Sequence, residues 1–79
     1  MSGQFSYNKV EKSGCIIDKY GSYSSVEVAK GACSEDSNCL SVYNNGCDES
    51  IDDVNLCPVG TSYQSSPSSC IYEKGIYYY

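Results

Sequence analysis

Six cysteines in a chain of 79 residues constrain the fold of this protein more than any other feature. They are even in number and span most of the chain, at Cys15, Cys33, Cys39, Cys47, Cys57 and Cys70. Such a count at such a density is typical of a disulfide framework, which forms in oxidising compartments. The sequence therefore predicts a single extracellular, secreted domain whose cysteines are cross-linked.

The apolar content of the chain explains why cross-links would be needed. Leu, Ile, Val and Phe account for 14 of the 79 residues. Charged chains in which these residues make up less than roughly 20 per cent tend to stay disordered. Nine tyrosines compensate in part, because each brings a large apolar ring with a polar tip. A disulfide adds about 3–4 kcal/mol in the loop-entropy model, so three of them could supply most of the net stability of a small domain.

The charge of the chain excludes some classes of partner. The formal net charge is −5, with five lysines and no arginine, whereas nucleic-acid binding requires a basic surface. No apolar run approaches the roughly 20 residues of a membrane span. A signal peptide is not recognisable in the first residues. We therefore expect the mature form of a secreted protein, with no nucleic-acid partner and no membrane insertion; the oligomeric state is not set by the sequence.

The cysteine spacing disfavours metal binding and thiol chemistry. The chain has no histidine and no Cys-x-x-Cys pair, and these are the usual parts of zinc sites and redox motifs. A cysteine nucleophile also needs a nearby base, for which histidine is absent. The sequence predicts disulfides, with no metal and no cofactor, and the spacing alone leaves the pairing open.

One helix is clearly indicated. Ser24 and Glu27 form a capping-box pattern, in which each side chain can bond the backbone amide of the other residue. The helix is predicted over residues 25–34, with an apolar stripe at Val26, Ala29, Ala32 and Cys33.

Short strands are predicted around this helix. Apolar residues at residues 15–17, 39–43, 54–57 and 70–73 favour four strands, the third ending at Pro58. Asn44-Asn45-Gly46 is a strong turn signal. Residues 1–14 are expected to be a loose N-terminal arm, residues 60–69 a flexible loop, and residues 75–79 a tyrosine-rich tail.

This pattern resembles a PAN/apple-type domain. The likeness is carried by the helix at residues 24–33, the step from Cys33 to Cys39 into residues 40–43, the pair Leu56-Cys57, and the closing residues 69–74. It covers residues 15–74. The resemblance implies an α+β fold, a small disulfide-rich domain with a curved antiparallel sheet and one helix packed on it.

The resemblance also implies a disulfide pairing and a general role. The pairing would be nested, with Cys15–Cys70, Cys33–Cys57 and Cys39–Cys47. Members of the family bind proteins or carbohydrates outside the cell and share no catalytic residues, so the resemblance implies a binding module.

Tyrosines outside the predicted strands are the candidate ligand-binding residues. An exposed tyrosine offers contact area and a hydroxyl at low entropic cost. The candidates are Tyr20, Tyr23, Tyr63, Tyr77, Tyr78 and Tyr79, whereas Tyr43 and Tyr72 lie in predicted strands and are expected to be structural. The alternative is that the loop tyrosines only cover a thin core.

The acidic segment at residues 48–53 offers a second candidate site. Asp48, Glu49, Asp52 and Asp53 could bind calcium through clustered oxygens, but their spacing does not match an EF-hand loop. Paired carboxylates could also hydrolyse glycosides, yet nothing in so short a chain indicates a substrate cleft. A solvated acidic loop is the favoured interpretation, and no enzymatic activity is predicted.

These observations predict a secreted module that recognises an extracellular protein or carbohydrate through its loops and exposed tyrosines. Two alternatives stay open. One is a secreted signal or toxin-like polypeptide acting on a cell-surface receptor, and the other is a tyrosine-rich structural or adhesive component of a secreted material.

Overall fold

A computed structural model of the chain describes residues 4–47 and 54–78, with side chains for residues 5–47 and 54–75. Among these residues, five strands and one helix follow one another in the order β1 (Gln4–Gly14), β2 (Tyr20–Tyr23), α1 (Val26–Ser34), β3 (Cys39–Asn44), β4 (Val54–Pro58) and β5 (Gln64–Tyr78).

The strands form one antiparallel sheet in the order β1-β5-β3-β4-β2. Helix α1 packs against β2, β3 and β4 on one face of this sheet. The predicted class is therefore confirmed: the protein is a small, disulfide-rich α+β domain. The predicted strands β3 and β4 are also confirmed, including the end of β4 at Pro58.

Helix α1 begins one residue later than the capping-box pattern predicted. Its N-cap is Ser25, whose hydroxyl accepts a hydrogen bond from the amide of Val28 at 3.2 Å, so the prediction of Ser24 as the cap is wrong. Glu27 still lies in the first turn, where its negative charge interacts favourably with the positive end of the helix dipole. The predicted apolar stripe is confirmed at Val26, Ala29 and Cys33, which are buried.

The N-terminal residues are part of the sheet, contrary to the prediction of a loose arm. Strand β1 pairs with β5 along most of its length, with Tyr7 opposite Lys74 and Val10 opposite Ile71. Residues 15–17, predicted as the first strand, instead leave the sheet as a loop. The prediction of an arm was wrong because β1 is an edge strand. In such strands charged side chains such as Lys9 are common and the apolar alternation is weak.

Strand β5 is longer than the sequence indicated. It contains the predicted strand at residues 70–73 but also runs through residues 64–69, predicted as a loop, and residues 75–78, predicted as a tail. Pro67 misled here, because proline disfavours a strand interior. It lies where the register with β1 is irregular, between the pairs Glu11–Cys70 and Ser13–Ser65, so no regular ladder bond is lost there.

The disulfides join Cys15 to Cys57, Cys33 to Cys39 and Cys47 to Cys70, with Cα–Cα distances of 5.7, 5.2 and 4.8 Å. All six cysteines are paired, as predicted. The nested pairing implied by the PAN/apple resemblance, Cys15–Cys70, Cys33–Cys57 and Cys39–Cys47, is wrong in each of its three bonds.

The sheet itself explains the observed pairing. Cys57 lies in the core on the face opposite α1, so the sheet separates it from Cys33 on the helix. Cys70 lies opposite Asn44 in the β3–β5 pair, and Cys47 follows Asn44 by three residues, so Cys47 is within reach. Cys39 is buried on the helix side and meets Cys33 at the end of α1.

Alternating residues of the central strands divide the core in two. The helix-side core contains Val42, Leu56 and Tyr72 together with the buried face of α1. The loop-side core contains Cys15, Tyr43, Cys57 and Ile71, with Val10 and Tyr63 packed against them. Since α1 covers only the first, the second must be closed by the connecting loops.

Candidate functional site

Two loops cover the sheet face opposite α1, and we call them the loop layer: residues 15–19 and residues 59–63. Cys15 is bonded to Cys57 of β4. The hydroxyl of Tyr63 lies 2.7 Å from the Oγ of Ser41 in β3. Both loops are therefore tied directly to the central strands beneath them.

The first loop is also held along its length. The amide of Ile16 donates to Oε1 of Gln64 at 2.8 Å, and the hydroxyl of Thr61 donates to Oδ1 of Asp18 at 2.6 Å. The Nζ of Lys19 lies 5.5 Å from the centroid of the Tyr43 ring. Together with the disulfide at Cys15, these contacts fix four of the five residues of the loop.

The second loop begins in a tight turn. The amide of Thr61 donates to the carbonyl of Pro58 at 3.2 Å, closing a turn in which Gly60 has a φ of 90°. A positive φ at the third position of a turn favours glycine. The amide of Val59 donates to the carbonyl of Asn38 at 2.8 Å, which fastens this turn to the segment between α1 and β3.

These fixed loops expose aliphatic side chains. Ile17 is 82 per cent exposed, Val59 58 per cent and Ile16 43 per cent. Single exposed aliphatic residues are ordinary, as Val28 on α1 illustrates at 51 per cent. Three on two loops joined by the Asp18–Thr61 bond form what we call the apolar patch. Exposed apolar surface on a rigid support is typical of a contact surface.

The predicted ligand-binding tyrosines are placed differently from one another. Tyr20 and Tyr23 are half-buried against the helix-side core, and Tyr63 is half-buried against the loop-side core. The hydroxyl of Tyr20 donates to Oδ2 of Asp36 at 2.7 Å. Tyr77 and Tyr78 belong to β5 by their backbone, but their side chains lie outside the described part of the chain, as does all of Tyr79.

Other tyrosines form a cluster beside α1. The Nζ of Lys30 lies 4.8 Å from the ring centroid of Tyr72 and 5.6 Å from that of Tyr7, distances at which a cation interacts favourably with an aromatic face. The hydroxyl of Tyr7 donates to the carbonyl of Lys30 at 3.0 Å. Tyr43 and Tyr72 are buried, which confirms their predicted structural role.

Electrostatic contacts at the end of α1 perturb several pKa values. The hydrogen bond from Tyr20 lowers the pKa of Asp36, whereas burial and the neighbouring Asp36 carboxylate raise the pKa of Tyr20. Burial lowers the pKa of Lys74, whose Nζ donates to the carbonyl of Asp36 at 3.0 Å. These groups bond one another and hold the α1–β3 segment in place, so their shifts have a structural cause.

One group of potential metal ligands occurs among the described residues. The carboxylate of Glu11 and the sulfur atoms of Cys47 and Cys70 lie within 4.8 Å of one another. Both sulfur atoms are bonded in a disulfide, so neither is the thiolate that a metal would require. The predicted acidic loop with Asp48, Glu49, Asp52 and Asp53 lies outside the described residues.

Sequence reasoning missed the aliphatic members of the site. The sequence predicts a strand at Ile16 and Ile17, since neighbouring isoleucines favour β structure. A pair of apolar residues directly after a cysteine, with Asp18 and Lys19 following, was the available signal. It could not be distinguished from a short strand until the partner of Cys15 was known.

Comparison with family models, with curated proteins and with solved structures finds no match for this chain. Among the described residues, no helix is long and apolar enough to cross a membrane. The three disulfides are typical of extracellular proteins.

Proposed function

We propose that this protein is a secreted binding module that recognises an extracellular protein through the apolar patch of its loop layer. The observation that carries the proposal is Ile17, which is 82 per cent exposed on a loop anchored by the Cys15–Cys57 disulfide. A loop already fixed in one conformation loses little entropy when it binds. The disulfide thus holds the proposed contact surface in place and also stabilises the fold.

The chemistry of the patch favours a protein over a carbohydrate. Sugars are bound mainly by aromatic ring faces and directed hydrogen bonds, whereas Ile16, Ile17 and Val59 offer only aliphatic surface. The faces of Tyr7 and Tyr72 are approached by Lys30, and the hydroxyls of Tyr20 and Tyr63 bond within the chain. The partner would therefore supply an apolar pocket, in which a buried isoleucine contributes about 1.5–3 kcal/mol.

A signal acting on a cell-surface receptor is one form that this function could take, since a receptor is an extracellular protein. The net charge of −5 supports neither a nucleic acid nor an anionic membrane as the partner. We retain the PAN/apple resemblance and the absence of enzymatic activity as predictions.

The test is binding of labelled protein to intact cells and extracellular matrix from the source tissue. We expect saturable binding that survives excess free sugar. Ile17→Glu should weaken it by about tenfold or more, because the charge would be buried in an apolar pocket.

Val28→Glu is the control, because it replaces another exposed aliphatic side chain and adds the same charge on the other face. It also places a glutamate three residues after the Ser25 cap, which completes a capping box and should preserve the helix. Equal loss of binding in both variants would contradict the proposal. So would binding that free sugar abolishes, or non-saturable adsorption accompanied by tyrosine oxidation.

A further inference from the structure

The connection between β3 and β4 begins with an asparagine followed by glycine, and both residues are exposed. The amide of Cys47 donates to the carbonyl of Asn44 at 3.2 Å, which closes a turn with Asn45 and Gly46 at its centre. In the described part of the chain, the amide of Gly46 makes no hydrogen bond. Within those residues, no hydrogen bond therefore competes for this nitrogen.

Buried hydroxyl groups hold Asn45 by both of its carbonyl oxygens. The hydroxyl of Tyr43 donates to the side-chain Oδ1 at 3.1 Å. The hydroxyl of Ser69 donates to the main-chain oxygen at 2.9 Å, and that of Ser66 donates in turn to Ser69 at 2.7 Å. Tyr43 and Ser69 are buried, so the donors beside the side-chain carbonyl are fixed.

We propose that Asn45 is a site of self-modification, at which the chain converts its own side-chain amide to aspartate and isoaspartate. The nitrogen of Gly46 loses its proton to hydroxide and forms a bond to Cγ of Asn45. The Cγ–Nδ2 bond then breaks, and Nδ2 leaves as ammonia after taking a proton from water. Water next opens the resulting five-membered imide at either carbonyl, and no oxidant or reductant takes part.

Two features of the turn favour this reaction. Gly46 has no Cβ, so its nitrogen can approach Cγ without steric hindrance. When the nitrogen attacks, negative charge develops on Oδ1, where the Tyr43 hydroxyl already donates. A fixed donor at a developing oxyanion stabilises the transition state.

Other asparagines of the chain lack this combination, since none of Asn8, Asn38, Asn44 and Asn55 precedes a glycine. Asn38 is the useful comparison, because it is also exposed. The amide that follows it, that of Cys39, donates to the carbonyl of Asp36 at 2.9 Å and is not free to react.

The products would change the local structure. Either one places a carboxylate beside the hydroxyls of Tyr43 and Ser69 and makes the net charge more negative. Isoaspartate also lengthens the main chain by one carbon atom within the turn that carries Cys47. The modification would thus accumulate in old molecules and loosen the start of the β3–β4 connection.

The experiment is incubation of the folded, oxidised protein at mildly alkaline pH, followed by peptide mapping that distinguishes aspartate from isoaspartate. We expect Asn45 to convert about tenfold faster than Asn38 and Gly46→Ala to slow the conversion by a similar factor, the equivalent of about 1.4 kcal/mol in the barrier. Equal rates at Asn45 and Asn38 would overturn the proposal.

The role of the hydroxyl is tested separately. Tyr43→Phe, checked for its fold by circular dichroism, should slow conversion about tenfold, because it removes a hydrogen bond to a developing charge. Tyr63→Phe, which removes a hydroxyl from the same core, should leave the rate unchanged. Conversion in the folded protein about tenfold slower than in the reduced, unfolded chain would show that the turn protects Asn45 and would also overturn the proposal.

Discussion

Gly14 lies so close to the ring of Tyr43 that a Cβ atom at residue 14 would overlap the ring carbons. Gly14 ends β1, and Tyr43 is buried in the loop-side core. The contact fixes where the chain leaves the sheet and turns into the loop layer. Gly14 thus positions the candidate site, although nothing in the sequence distinguishes it from the other glycines.

We expect Gly14→Ala to destabilise the protein by about 1–3 kcal/mol, because the Tyr43 ring must move within a packed core. Gly31→Ala is the control, since a Cβ there meets no atom within 4 Å. In a helix that change should stabilise by about 0.5–1 kcal/mol. Thermal unfolding of both variants measures the difference, and similar melting temperatures would contradict the close approach.

The disulfides should contribute unequally to stability. The Cys15–Cys57 bond closes a loop with a sequence separation of 42, and the Cys33–Cys39 bond one of 6. The loop-entropy relation then gives about 4 kcal/mol for the first and about 2.2 kcal/mol for the second. Chemical denaturation of the double alanine variants at each pair should show this order, and mass mapping of a non-reduced digest should find both bonds.

Removal of the Cys15–Cys57 bond should also weaken binding to the partner, because this bond anchors the loop that carries Ile17. The Cys33–Cys39 variant serves as the control for a general loss of a disulfide. If both variants bind equally well under conditions where both are folded, the prediction that the loop layer depends on the Cys15–Cys57 bond is contradicted.

The sequence predicted the central elements because their patterns are local. The helix with its buried Val26 and Ala29, and the strands β3 and β4, follow from spacing and from the turn at Asn45 and Gly46. The pairing of β1 with β5 joins residues far apart in the chain, and an edge strand carries little apolar signal. The exposure of Ile17 depends on that pairing and on the partner of Cys15. Because the sequence sets neither of these, the exposure of Ile17 could not be predicted.

Tyr72→Phe should stabilise the protein. The Tyr72 hydroxyl is buried and has no hydrogen-bond partner among the described residues, a situation that costs about 1–3 kcal/mol for a polar group. Phenylalanine keeps the ring beneath Lys30 and removes that cost. Tyr7→Phe is the contrasting variant, because the Tyr7 hydroxyl bonds the carbonyl of Lys30; its loss should cost about 0.5–1.5 kcal/mol. A lower melting temperature for Tyr72→Phe would contradict this account.

Stability should fall at alkaline pH because folded phenol groups resist ionisation. Burial raises the pKa values of Tyr7, Tyr20 and Tyr63 above their ordinary value of 10.0. The stabilisation from each raised pKa is fully present below the unfolded value and is lost as the pH rises above it toward the folded value. The lowered pKa of Lys74 makes stability rise with pH between its folded pKa and 10.5. The three phenols outnumber this one amine, so the net stability should fall.

Ultraviolet titration of tyrosinate, followed together with circular dichroism, measures this effect. We expect part of the tyrosine signal to titrate only as the fold is lost, above the ordinary phenol range. Tyr20→Phe should reduce the loss of stability with rising pH, because it removes the phenol that donates to Asp36. Tyr23→Phe should reduce it less, because the charge of Tyr23 is only the smallest of the causes that raise the pKa of Tyr20. Complete titration of the wild-type tyrosines around pH 10 with the fold intact would contradict the raised pKa values.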